Sequence, residues 1–107
     1  MKNSREFQQG DVLINRIDSL PEGIKKVERK VRGFVLAEGE TTGHAHVIDE
    51  DIEMYEKEGN FYIRVRGGTA TVTHEEHAPI EIPSGLYEIG IVQEVDPWTE
   101  QPRKVVD

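Results

Sequence analysis

All four histidines of the 107-residue chain fall in two short clusters, His44/His46 and His74/His77. A His-x-His pair on a β-strand sends both imidazoles to one face, because strand side chains alternate with a period of two. Two nitrogen donors placed in this way suit zinc, iron, manganese, nickel or copper. Gly43, directly ahead of the pair, gives the backbone freedom for a close approach. The second cluster, His74-Glu75-Glu76-His77, runs into Pro79. A bend there would bring both histidines, or one histidine and one glutamate, to a common point. The expected site gathers His44, His46 and His74, with Glu50 or His77 completing it around a divalent ion (zinc, iron, manganese or nickel). Cysteine is absent, which excludes thiolate ligation, a thiol nucleophile and disulfides. The competing reading makes His44 and His46 solvent-facing strand residues and His74 a core-edge imidazole bonded to a backbone carbonyl. Glu75 and Glu76, taken singly, read as surface residues.

The elements that must position these side chains read as short strands. Residues 1–10 form a ragged lead-in ending at Gly10. Asp11–Ile17 is a strand with Val12 and Ile14 on one face. Pro21 and Gly23 mark a loop. The basic stretch 24–32 reads as irregular, since Ile24, Val27 and Val31 fit a helical stripe while Val27, Val31 and Val35 fit a strand period. A strand follows at Gly33–Ala37, then Thr41–Ile48, a turn at Asp49-Glu50-Asp51, and a strand at Ile52–Lys57. Glu58-Gly59-Asn60 makes a tight connection. In Phe61–Arg66 the residues Phe61, Ile63 and Val65 share a face opposite Tyr62, Arg64 and Arg66. Gly67-Gly68, lying between this run and Thr69–Thr73, signals a two-residue hairpin with a primed turn. That register sets Val65 against Ala70, Ile63 against Val72 and Phe61 against His74, which puts His74 on the apolar face. Pro79–Ile82 is a short strand, Pro83-Ser84-Gly85 a turn, and Leu86–Val95 a longer strand with Tyr87, Ile89 and Ile91 on one face. Turns every eight to twelve residues and no convincing helix predict an all-β, single-domain barrel or sandwich over 1–107, with flexible ends at about 1–10 and 99–107.

Gly39-Glu40-Thr41-Thr42-Gly43-His44-Ala45-His46-Val47-Ile48-Asp49-Glu50 resembles the first cupin motif, in which a glycine and a His-x-His pair precede a glutamate. Pro83-Ser84-Gly85 is similar to the Pro-x-Gly turn of the second cupin motif. Where that motif carries a histidine, this chain has Glu88, and its final asparagine position is Val92. The resemblance implies a jelly-roll type barrel with His44, His46 and Glu50 as metal ligands. His74 or His77 would stand in for the third imidazole. The phrase His-Glu-Glu-His-Ala-Pro-Ile, followed by Pro-x-Gly-x-Tyr, also resembles small uncharacterised proteins of bacteria and their phages.

Composition narrows the remaining classes. The formal charge is −8, and it is uneven: residues 1–37 carry a net +3 and residues 38–58 a net −7. An acidic chain lacks the basic footprint of a duplex nucleic-acid binder. The acidic stretch reads either as a solvating surface or as a contact for cations or a basic partner. No apolar run reaches the ~18 residues of a membrane helix, and Met1–Gly10 is polar, unlike a secretory leader. The expected localisation is therefore cytoplasmic, or virion-associated for a phage protein. Gly67-Gly68 opens no helix and is no phosphate loop, and Ser4, Ser19 and Ser84 lack a nucleophile-elbow context. Tyr62, Arg64 and Arg66 share an outer face that reads as a polar sheet surface or an anion or partner site. Trp98 reads as packing at the barrel end or an oligomer contact. Two functions follow. One is a metal-binding β-barrel, with an open position permitting Lewis-acid or oxygen chemistry. The other is a non-enzymatic interaction module that forms homo-oligomers through its edge strands.

Overall fold

Runs rich in valine, isoleucine and tyrosine, broken every few residues by glycine, proline or acidic turns, cannot sustain a helix and pair as strands instead. The computed structural model describes residues 6–39, 43–91, 93–95 and 102–104. Among them there is no helix. The strands are β1 (Glu6–Gln9), β2 (Val12–Ile17), β3 (Lys25–Val27), β4 (Phe34–Glu38), β5 (Ala45–Ile48), β6 (Glu53–Lys57), β7 (Asn60–Thr73), β8 (Ile80–Ile91), β9 (Gln93–Val95) and β10 (Pro102–Lys104). The backbone of β9 pairs with that of β10 as a separate two-stranded sheet. Expectations for Trp98, for Thr41-Thr42 as the start of a strand, and for the ends at 1–5 and 99–101 lie outside the described residues.

The main sheet runs β1-β2-β8-β7-β5-β4, with β6 also on β7 and β3 on β6. It bends back on itself at one corner. The first half of β7 pairs with β6 (Met54 opposite Ile63), and the second half pairs with β5 (Ile48 opposite Val72). Both halves keep β8 on their other side, with Val65 opposite Gly85 and Thr69 opposite Pro83. Arg66, Gly67 and Gly68 therefore face Ser84 alone, and this bulge turns the ribbon from one layer into the other. The buried hydroxyl-bearing Tyr87 ties the corner on the β8 side, donating to the Pro83 carbonyl at 2.6 Å. Between the layers lies one core. It draws Val12 and Ile14 from β2, Leu36 from β4, Ile48 from β5, Met54 from β6, Ile63, Val65 and Val72 from β7, and Ile82 and Tyr87 from β8.

Gly67-Gly68 is thus not a hairpin turn, nor is Pro83-Ser84-Gly85 a turn between strands. Both glycines do take positive φ (55° and 105°), but they spend it on the bulge, because each half of β7 has a better-matched apolar partner in β8 than in the other half. The primed hairpin sits instead at Glu58-Gly59, whose φ values are 51° and 85°, between Lys57 and its partner Asn60. Periodicity survives the change of partner: Ala70 and Val72 face the core, and His74, two residues further, continues their side. The lead-in is also more ordered than expected. Glu6–Gln9 pairs with β2, and Gln9 is buried. Val31 joins neither stripe; it is fully exposed at the tip of a turn closed by mutual Lys30–Gly33 backbone bonds.

One polar cluster on this frame has a direct acid signature. Glu53 accepts from the Tyr55 hydroxyl at 2.6 Å and from Arg66 at 2.7 Å. The Tyr55 hydrogen bond first, and the Arg66 and Arg64 charges after it, hold the Glu53 carboxyl below its ordinary value. A carboxyl depressed by folding stabilises the fold above its unfolded pKa, and that contribution disappears as pH falls through the folded pKa. Glu53→Gln should therefore lower stability slightly at neutral pH, by under about 1 kcal/mol for so exposed a pair. It should also flatten the loss of stability below about pH 4.5. Urea titrations of both proteins at pH 7 and pH 3.5 check this. Equal gaps between wild type and variant at the two pH values would contradict it.

Candidate metal centre

The bend that joins the two layers leaves their ends facing one another, and the histidines collect there. β5 carries His46, and His44 stands just ahead of it. β7 ends at Thr73, so His74 emerges on the core side as the chain turns toward Pro79. Ring centroids of His46, His74 and His77 form a triangle with sides of 4.3, 4.6 and 6.0 Å. His44 meets His74 edge-on at 5.6 Å. Two imidazoles on one ion, each bound through nitrogen at about 2.0–2.1 Å, hold their centroids roughly 4.5–6 Å apart; the His74–His77 and His46–His77 spacings fall within that range, and the His46–His74 contact is closer. Both histidine pairs lie in this region of the fold.

His46 is the buried member, at 2% exposure. Its Nδ1 lies 2.8 Å from Gln9 Oε1. The Gln9 amide cannot be turned round, since its nitrogen donates to the carbonyls of Val72 at 3.0 Å and Ala78 at 2.9 Å. Gln9 Oε1 can only accept, so His46 carries a proton on Nδ1. That directs Nε2 toward Asp11, whose Oδ1 is 3.4 Å away. Asp11 is itself buried, at the turn between β1 and β2.

The 74–77 segment is held locally. The Glu76 amide donates to His74 Nδ1 at 3.0 Å, which places the proton of neutral His74 on Nε2. Glu75 Oε1 accepts from the Ala45 amide at 3.0 Å, and Oε2 is paired with Arg32. The Ala45 amide first, then Glu75's own amide, and the Arg32 charge after them, keep the Glu75 carboxyl below its ordinary value. Glu75 thus clamps the start of β5 to the end of β7, which is a positioning job. Glu76 Oε1 stands 3.7 Å from His44 Nδ1. Beside the rings, a pocket of about 290 Å³ opens between Arg32, Ala45, Thr73, His74 and Glu75.

Glu50 is elsewhere. The β5–β7 register carries it past Ile48 and Val72, so that its Oε1 accepts from the Thr71 amide at 2.6 Å. At about 3.3 Å per residue, the three residues from Thr71 to His74 set it roughly 10 Å along the strand from the ring cluster. It lines a different pocket, with Lys26, Glu53 and Arg66. The reason is geometrical: an even number of residues after His46 preserves the face but moves the side chain down the strand and round the turn. Among the described residues, no group of three or more His, Asp or Glu side chains stands arranged to hold a metal ion.

Gln9 and Asp11 are what sequence reasoning missed, by assigning Gln9 to a lead-in and reading Asp11 only as the start of a strand. A signal was present. Phe7 and Gln9 alternate with Glu6 and Gln8, and a period-two pattern whose inner face ends in glutamine beside an apolar strand marks a polar group inside.

The model of a protein family described as a domain of unknown function (DUF8820) matches residues 8–92. No curated protein and no solved structure matches the chain.

Proposed function

The chain belongs to the DUF8820 family, a description that transfers no activity, and we propose from the geometry that it binds a divalent first-row metal ion at the histidine cluster. The observation that carries this reading is His46. An imidazole buried to 2% exposure, with its Nδ1 proton fixed by a clamped glutamine, has Nε2 3.4 Å from the Asp11 carboxylate, and the rings of His74 and His77 lie beside it. Imidazole and carboxylate donors favour zinc, iron, manganese or nickel over the softer ions that thiolates select. The turn at 74–77 supplies the rotation: His77 is only half-buried, and its side-chain torsions can change among staggered states at small cost.

Elemental analysis of protein purified without a histidine tag tests this directly. About one ion per chain is expected from wild type, and none from His46→Ala under the same buffers. Wild-type protein that stays metal-free after incubation with zinc, manganese and iron(II) salts refutes the proposal.

A further inference from the structure

We infer that the outer edge of β4 is a docking site for an extended peptide segment of a partner. The segment is apolar at alternate positions, with a basic residue at its N-terminal end and an acidic residue at its C-terminal end. The inference stands apart from the metal-binding reading, since the cleft beside β4 shares no residue with the histidine cluster.

Among the described residues β4 has one strand partner, β5. A cleft of about 630 Å³ is lined by Val35, Leu36, Ala37 and Glu38. Leu36 and Ala37 belong to the core cluster, and Val35 and Glu38 do not. A cavity that meets both sets follows the edge of the strand, and β5 holds the other edge. Such an edge is a row of amide and carbonyl groups on which a further strand can pair. Met54, Phe61 and Ile89 line the same cleft from β6, β7 and β8, an apolar surface for the alternate side chains of that strand. The other outer strands are poorer templates. β3 is three residues long with two exposed lysines, and β1 reads Glu-Phe-Gln-Gln; charge and shortness guard an edge. β4 carries no charge before its last residue.

The ends of the cleft set the direction. Lys30 lines it and is bonded through its backbone to Gly33, just ahead of β4. Glu38 closes β4 at the far end. Arg29 and Arg32 are paired with Asp49 and Glu75, which leaves Lys30 to face an occupant. Every described pair in the main sheet is antiparallel, and an antiparallel visitor runs from the Glu38 end to the Lys30 end. Its basic residue then meets Glu38, and its acidic residue meets Lys30. From Phe34 to Glu38 the strand covers about 13 Å, at roughly 3.3 Å per residue. A segment of about five residues matches that length.

Titration of the nitrogen-15-labelled full chain with the peptide Lys-Ile-Thr-Val-Glu tests this. The β4 amide signals should move, and those of β1 and β3 should stay in place. The charge-reversed peptide Glu-Ile-Thr-Val-Lys should bind about 3–10-fold more weakly, the scale of two exposed ion pairs. Lys30→Glu combined with Glu38→Lys should invert that preference, which a damaged fold would not do. Two further copies of the first peptide carry N-methyl groups on alternate residues, one on Ile and Val, the other on Thr and Glu. Amides of alternate residues face opposite sides of a strand, so one copy should bind at least about tenfold more weakly and the other almost unchanged. Unmoved β4 amides at about 2 mM peptide overturn the proposal. So does equal binding of the two charge patterns, or of the two methylated copies. Movement of the β4 amides with protein concentration alone also overturns it, and assigns the edge to a second copy of the chain.

Discussion

Zinc at a hundred times its dissociation constant should raise the melting temperature of the wild-type protein by about 10–20 °C. A ligand that binds only the folded state at that excess stabilises it by about 2.7 kcal/mol, and a domain of this size moves its midpoint by roughly 4–8 °C per kcal/mol. The effect should vanish in His46→Ala, because His46 supplies the one donor whose surroundings leave no alternative orientation. Metal-free His46→Ala should itself melt lower than metal-free wild type. It leaves a cavity beside the core and strands the Gln9 oxygen without its donor, a loss of about 1–3 kcal/mol. The two effects separate in differential scanning fluorimetry run with and without zinc: the first is the zinc-dependent shift, the second the offset without zinc. An identical zinc shift in both proteins would place the ion somewhere other than the histidine triangle.

Gly33→Ala should be the most damaging conservative change in the sheet. Gly33 leads the chain into β4 with φ of 129°, a conformation that residues with a Cβ rarely adopt. An added methyl would stand 2.7 Å from the Ile48 carbonyl oxygen, 2.9 Å from Val47 Cγ1 and 3.0 Å from Asp49 Cα. Two of these three neighbours are backbone, at the end of β5 and just past it, which cannot turn aside as a long side chain can. Backbone strain of about 1–3 kcal/mol and overpacking of about 1–3 kcal/mol together predict a loss of roughly 4 kcal/mol. Gly67→Ala gives the contrast. Its φ of 55° is the left-handed region that other residues visit, and nothing lies within 4 Å of the added carbon, so its cost should stay near 1 kcal/mol. Urea denaturation of the two variants side by side measures the difference. Equal midpoints would show that β4 does not press against β5 as described.

Most strands were legible because their alternation is local. Val12 and Ile14, Ile63 and Val65, and Tyr87 and Ile89 each face inward as a period of two demands. What the sequence could not disclose was which run would pair with which. Gly67-Gly68 and Glu58-Gly59 carry the same turn chemistry, and only the length and apolar match of β8 decides that the first becomes a bulge and the second a hairpin. The same limit governs the site. His44, His46, His74 and His77 could be nominated from spacing within each cluster, and His74 from its place after Val72. Spacing alone points to Glu50 as well, yet register carries it to Thr71. Asp11 is 35 positions from His46 in the chain, and no local pattern connects them; the contact exists only because the β1–β2 turn folds over the end of β7.

That remoteness has a consequence for how the protein is made. Val12 pairs with Ile91, and the Gln9 amide reaches Ala78, so the two strands synthesised earliest in this sheet wait for nearly the last of its described strands. At synthesis rates of about 5–20 residues per second, the first two strands spend several seconds without their lasting neighbours. Closing contacts of such long sequence separation is slow in itself, on the millisecond-to-second scale for sheet proteins of high contact order. Until it is done, Gln9, Asp11, His46 and His77 belong to unconnected pieces of chain. The buried contacts of Gln9 with His46, Val72 and Ala78 are therefore made only after synthesis of these segments, at the last docking step of the sheet.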